Sequence, residues 1–282
     1  MGSWKIGKLF GIGLYVHWSF LLLPILVLLD PGLGEIAAFL GGKLVVMALV
    51  LAVFTCVVLH EFGHVLAARA FGIGTRSVTL YPIGGVARLE RMTEKPGEEI
   101  LIALAGPAVN VAIAILLGLG LLPVLTLAPH LLETPIFRFL FTLMFLNGML
   151  VAFNLIPAFP MDGGRVFRAL LAMPLGRLQA TRIAAWLTTM IALVGLFVGL
   201  TRGELNLLPI ISVFIFLMAQ MELRSVEMQA WKQSRETVPP HSAKPIPVAE
   251  GWPVFTMKPA VTVYVWDNEA GVWVKQRSGP NS

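Results

Sequence analysis

Cysteine is almost missing from this chain, and so is charge. The single cysteine, Cys56, cannot close an intramolecular disulfide and rules out a cysteine-rich zinc or iron–sulfur site. Only 13% of the 282 residues are charged, about half of what a water-facing shell of this size carries. A soluble fold is therefore excluded. No internal repeat is visible, and the glycines at Gly118-Leu-Gly120 follow no strand, so they mark close packing rather than a phosphate loop. The net charge of +5 does not signal nucleic acid, because the cations fall into the loops of one face once the apolar runs are placed.

What fills the space is hydrophobic: 57% of residues, with a mean hydropathy of +0.81. Uncharged runs at Leu9 to Leu29, Leu44 to His60, Ile100 to Leu132, Phe139 to Met161, Ile183 to Thr201 and Leu205 to Met221 each approach the ~20 residues that a helix needs to cross a bilayer. The expected fold is an all-α integral membrane protein with about six transmembrane helices. The first run lacks a small-residue cleavage pattern and reads as a retained span. After the second span, Ser77 to Tyr81 and Val86 to Glu90 flank Pro82-Ile-Gly-Gly85 and predict a short β element at a sheltered membrane edge.

Threading the spans alternately puts 18 of the 21 Lys and Arg residues on one side, leaving Lys43, Arg138 and Arg202 on the other. The richer side is read as cytoplasmic, with both termini there in a cell membrane. Residues 1–228 form the expected membrane body. Residues 229–282 read as a cytoplasmic tail, with a linker marked by Pro239, Pro240, Pro245, Pro247 and Pro253 and then a β-hairpin around Asp267 to Gly271.

The second span ends in Leu59-His-Glu-Phe-Gly-His64. His60 and His64, one helical turn apart, can grip one metal ion on a shared face, with Glu61 beside it to take a proton from bound water. Chance places His-Glu-x-x-His roughly 0.004 times in a chain of this composition. Lys43 to His60 is about 25 Å of helix, so the metal would lie within the slab and need a polar cavity toward the basic face.

A catalytic zinc takes three protein ligands and keeps a position open. Cys56 shares the His60 face, but a third ligand from the same helix would strain the geometry, so it reads as packing. Asp162 closes a long apolar run in Asn154-Leu-Ile-Pro-Ala-Phe-Pro-Met-Asp-Gly-Gly164, where prolines stop the helix and glycines free the chain. Taken alone, Asp162 could equally cap the next helix. A zinc helix short of one ligand favours the metal role. His17 could line the cavity or simply hydrogen-bond at the interface, and Asn110 reads better as interhelical glue than as a catalytic group.

His60-Glu-x-x-His64, Ala105-Gly-Pro-x-x-Asn110 and Asn154-x-x-Pro-x-x-Pro-x-Asp-Gly-Gly164 together resemble the site-2 protease family of intramembrane zinc metalloproteases. Gly11 to Phe20 and Pro82-Ile-Gly-Gly85 are similar to its compact members lacking a PDZ domain, and the likeness covers about residues 5 to 228. It implies one zinc held by His60, His64 and Asp162, Glu61 as base, Asn154 lining the site to orient substrate or oxyanion, and cleavage of single-span membrane proteins. The tail is expected to be too short for the paired CBS domains of many compact relatives. Two rivals from other classes are a metal-binding transporter, which should show inverted repeats and scattered intramembrane carboxylates, and a catalytically silent scaffold, which the intact motif opposes.

Overall fold

The computed structural model describes residues 2–9, 11–29, 31–81, 84–90, 93, 95–201, 207–236, 264–267 and 272–275. The Pro82-Ile83 turn and the proline-rich linker expected between Pro239 and Pro253 lie outside them. Two compact units emerge, Met1–Arg235 and Glu236–Ser282.

In the larger unit the chain runs through β1 (Ser3–Leu9), β2 (Ile12–His17), α1 (Leu22–Leu29), α2 (Gly34–Leu40) and α3 (Lys43–Ala70), then β3 (Thr75–Tyr81) and β4 (Gly84–Leu89). It continues through α4 (Pro96–Leu127), α5 (Pro135–Asn154), α6 (Asp162–Leu175), α7 (Arg177–Thr201) and α8 (Leu208–Glu236). Among the described residues, α3, α4, α5, α7 and α8 are long and apolar enough to cross a membrane. The molecule is a multi-pass membrane protein. Its outward faces stay apolar, with Leu44 and Leu127 more than 80% exposed, as a hydrocarbon surround requires.

The expected first span is not one long helix. Leu9 to Leu29 instead holds strand β2, a tight turn at Trp18–Leu21 and the eight residues of α1. The reason is the sheet. β2 pairs in parallel with β3 and antiparallel with β1, giving a four-stranded sheet in the order β1-β2-β3-β4. Ile12 and Val78 press this sheet onto Phe62 and Val65 of α3, the stretch that carries the two histidines. The sheet thus reaches the depth of the metal motif. Only a short stretch then remains to the other end of α3, where Lys43 Nζ donates to Leu28 O at 2.9 Å. β3 is an interior strand, so among the described residues the sheet's edges are β1 and β4, and β4 is the edge strand whose Gly85 lies against Glu61.

Helix α4 starts with Pro96 at its first turn and Glu98 and Glu99 beside it, which suits the fixed proline φ and the positive helix end. Helix α8 continues past Met228, where the linker was expected to begin, as far as Glu236. The smaller unit contains an antiparallel pair, β5 (Tyr264–Asp267) and β6 (Val272–Lys275), at the place of the expected hairpin.

Candidate metal centre

Helices α3 and α4 approach closely because each offers a glycine at the crossing. A Cβ on Gly63 would meet Ala105 O at 2.6 Å, and one on Gly106 would overlap the Nε2 atoms of His64 and His60. The imidazoles therefore pack directly against α4 at Gly106. Their ring planes are 82° apart, with centroids 4.7 Å from each other.

Each histidine has its inner nitrogen committed. His60 Nδ1 donates to Asn110 Oδ1 at 2.9 Å and His64 Nδ1 donates to Ile102 O at 2.7 Å, since neither oxygen can donate. Both Nε2 atoms are thereby left with lone pairs, and they face each other at 3.1 Å. Asp162 Oδ2 stands 3.2 Å from each of them. Three acceptors converging in a buried space repel one another unless a cation sits among them. A tetrahedral zinc with ligand bonds near 2.0 Å would space its ligands about 3.3 Å apart. The donor set therefore fits zinc in atom type, spacing and tautomer.

Asp162 arrives from a broken stretch of chain. Beyond Asn154, helix α5 stops, residues 155–161 fold back, and α6 begins at Asp162 itself. Its N-cap is Met161, which makes no side-chain cap bond, so Asp162 does not serve as the cap. Gly163 and Gly164 do not loosen the chain as expected. A Cβ on Gly164 would meet Ala158 C at 2.6 Å, and Gly163 is pressed as tightly on Leu155 O, so the pair allows the returning segment to lie on the first turn of α6.

That segment is held from behind. Phe159 N–H donates to Thr188 Oγ1 of α7 at 3.0 Å, and the Arg168 guanidinium lies 5.3 Å from the centre of the Phe159 ring. Arg168 is completely buried, with Glu99 of α4 and Glu222 of α8 as ion-pair partners. Burial alone would lower its pKa, but the two carboxylates outweigh that and raise it. By sequence, Arg168 counts only among the cations in the loops of one face.

Glu61 sits next to the donor set on α3 and touches the sheet. A Cβ on Gly85 of β4 would lie 3.0 Å from Glu61 Cδ. The second glycine of Pro82-Ile-Gly-Gly85 is thus the position where the strand passes over the carboxylate. Asn154 is not among the clustered donors; its Nδ2 donates to Leu150 O of its own helix at 2.9 Å. Cys56 packs away from the donors, its Sγ taking a 3.4 Å contact from Asn147 Nδ2. His17 bonds Ser19 Oγ at 2.7 Å and caps the Trp18–Leu21 turn.

Membrane-crossing helices around a buried His-His-Asp donor set define a polytopic membrane protein with a metal-binding core. The chain belongs to peptidase family M50, whose model matches residues 48–130 and 122–198. It is 35% identical over 229 residues to a zinc metalloprotease of Methanocaldococcus jannaschii, covering 80% of this chain and 62% of that protein. It is 32% identical over 167 residues to stage IV sporulation protein FB of Bacillus subtilis, covering 59% of this chain and 54% of that one. The solved site-2 protease from M. jannaschii has a similar fold, with a TM-score of 0.54 and 34% identity over 78% of this chain and 95% of the other. This chain spans about three fifths of the length of the relatives it matches.

Proposed function

We propose that this protein is an intramembrane zinc endopeptidase that cuts the transmembrane segments of single-span membrane proteins. The observation that carries the reading is a carboxylate, Glu61, placed between a three-donor metal site and the outermost strand of a sheet at membrane depth.

A zinc ion bound by His60, His64 and Asp162 would supply Lewis acidity and lower the pKa of a bound water. Glu61 takes the proton of the attacking water and returns it to the leaving amine. Asn154 closes α5 beside the returning segment and offers an amide hydrogen to the substrate carbonyl oxygen. A helical substrate must unwind before its carbonyl can be attacked, and β4 is suited to pair with the unwound stretch by strand addition. Blocking β3 would test this poorly, because Val78 is already paired on both sides, to Leu14 and Ala87.

The orientation supported by the charge split has both termini in the cytoplasm. The sheet agrees with it, since N-terminal β1 and β2 share one sheet with the strands that follow α3.

The test separates base from ligand. In detergent-purified Glu61→Gln, zinc content should stay at the parent level while cleavage of a model transmembrane substrate falls about 10²-fold or more. Asp162→Ala should lose both. Normal turnover by Glu61→Gln removes the base and with it the hydrolytic mechanism.

A further inference from the structure

Three helices share a chain of hydrogen bonds that ends on His60. We infer that Asn147 is a positioning residue that sets the tautomer of His60 through Asn110, an inference that rests on reading His60 as a metal ligand.

Asn147 lies on α5 and Asn110 on α4, and both are fully buried in otherwise apolar surroundings. The polarity of the chain is dictated from its far end. Leu143 O can only accept, and Asn147 Nδ2 lies 2.8 Å from it, with Cys56 Sγ on the same side at 3.4 Å. Turning the Asn147 amide over would set two oxygens against each other at that distance. Asn147 Oδ1 must therefore face Asn110, where it accepts from Nδ2 at 3.1 Å. The Asn110 amide is then oriented as well, and its Oδ1 is the atom left to face His60 Nδ1 at 2.9 Å. The ring proton is drawn to Nδ1, and Nε2 is kept bare toward His64 and Asp162.

His64 does not need such a device. Its Nδ1 meets the backbone oxygen of Ile102, which cannot turn over. His60 meets an amide, which can. Without Asn147, the Asn110 side chain is free to present Nδ2 to His60 Nδ1. His60 would then carry its proton on Nε2, where that proton bonds to Asp162 Oδ2 and occupies the place of a metal. The relay thus acts on the competition between proton and metal at Nε2, and supporting partners of this kind change metal affinity about 10–100-fold.

The measurement is zinc affinity by chelator competition on the metal-stripped full chain in detergent, alongside its thermal melt. Asn147→Leu fills the same space without a polar group and should weaken zinc binding about 10–100-fold. Asn147→Ala gives the same comparison with a smaller side chain if leucine impairs folding. The discriminating variant is Asn110→Asp, whose carboxylate accepts from His60 Nδ1–H in either orientation. Because Asn110→Asp alone sets a carboxylate oxygen against Asn147 Oδ1, the comparison is between Asn110→Asp/Asn147→Leu and Asn147→Leu, and the double variant should recover the zinc affinity that Asn147→Leu loses. If Asn147→Leu and Asn147→Ala bind zinc like the parent, or the loss persists in the Asn110→Asp background, Asn147 only packs and the inference is overturned. A parent that binds no zinc overturns the proposed function itself, which is a different result from a parent that binds and a variant that does not.

Discussion

The two arms that bring ligands together in this protein are built from different materials. His60 and His64 stand on one uninterrupted helix and are oriented by neutral partners: two amides, a backbone carbonyl and the glycines at the α3–α4 crossing. Asp162 stands at the start of a short helix after a broken segment, and a buried guanidinium with two carboxylates supports it from behind. Depth explains the difference. In the second half of a long apolar span an ion would have to be desolvated, whereas an amide can be satisfied by other amides. Near the face where α4 begins and α6 turns, Glu222 is still 27% exposed, so charge is affordable there. The histidine arm is therefore specified by shape and polarity, and the aspartate arm by electrostatics.

The sharpest way to break this comparison is to remove the charge at its centre. Arg168→Met leaves Glu99 and Glu222 facing each other without a cation, and unpairing a buried ion network costs about 3–5 kcal/mol. The lower end is expected here, because water still reaches Glu222. A thermal or denaturant unfolding series in detergent measures the loss. Adding Glu99→Gln and Glu222→Gln to Arg168→Met should recover most of it. A triple variant as unstable as Arg168→Met would show that the guanidinium acts through the Phe159 ring instead.

On the histidine arm the matching change is one of shape. Gly106→Ala introduces a methyl group where both Nε2 atoms lie, so the rings must turn away from Asp162. Overpacking of this kind costs about 1–3 kcal/mol in stability. The larger signature is zinc content, which should fall while the protein remains membrane-inserted. Retained stoichiometric zinc would mean that the crossing can open without moving the ligands.

Thr188→Val tests the neutral part of the aspartate arm. It removes the acceptor for the buried Phe159 N–H, and an orphaned donor costs about 1–3 kcal/mol. Zinc affinity should fall with stability, because the returning segment positions Asp162. A variant that loses stability but not affinity would assign the placement of Asp162 to the ion network alone.

How much of this was legible in the sequence follows from the same contrast. The histidine motif and Asp162 were readable because metal ligation restricts residue type, and the β element after α3 was readable from the two short extended segments on either side of Pro82-Ile-Gly-Gly85. The first span was misjudged because an apolar run of about 20 residues looks alike as a helix or as a buried strand followed by a short helix. Arg168 was missed for a related reason. Its partners Glu99 and Glu222 lie 69 and 54 positions away, so nothing local distinguishes it from Arg165 or Arg182. Asn147 carried a weak signal, one of two asparagines in the apolar run Phe139 to Met161, and the expectation centred on the other, Asn154, passed over it.

Arg182 provides the smallest effect and the cleanest control. It pairs with Glu227 of α8 through Nε and Nη2 at 3.1 and 3.0 Å, so it uses the same residue types and the same partner helix as Arg168 does with Glu222. Its side chain is 56% exposed and that of Glu227 is 40% exposed. Water screens the pair and already solvates both ions in the unfolded state, so Arg182→Ala should cost only about 0.2–1 kcal/mol and leave zinc binding unchanged. The cost should shrink further as salt is raised, whereas that of Arg168→Met should hardly respond. The check is the same unfolding series run at low and high ionic strength. If Arg182→Ala proves as damaging as Arg168→Met, the bond between α7 and α8 carries the fold, and burial is not what separates the two arginines.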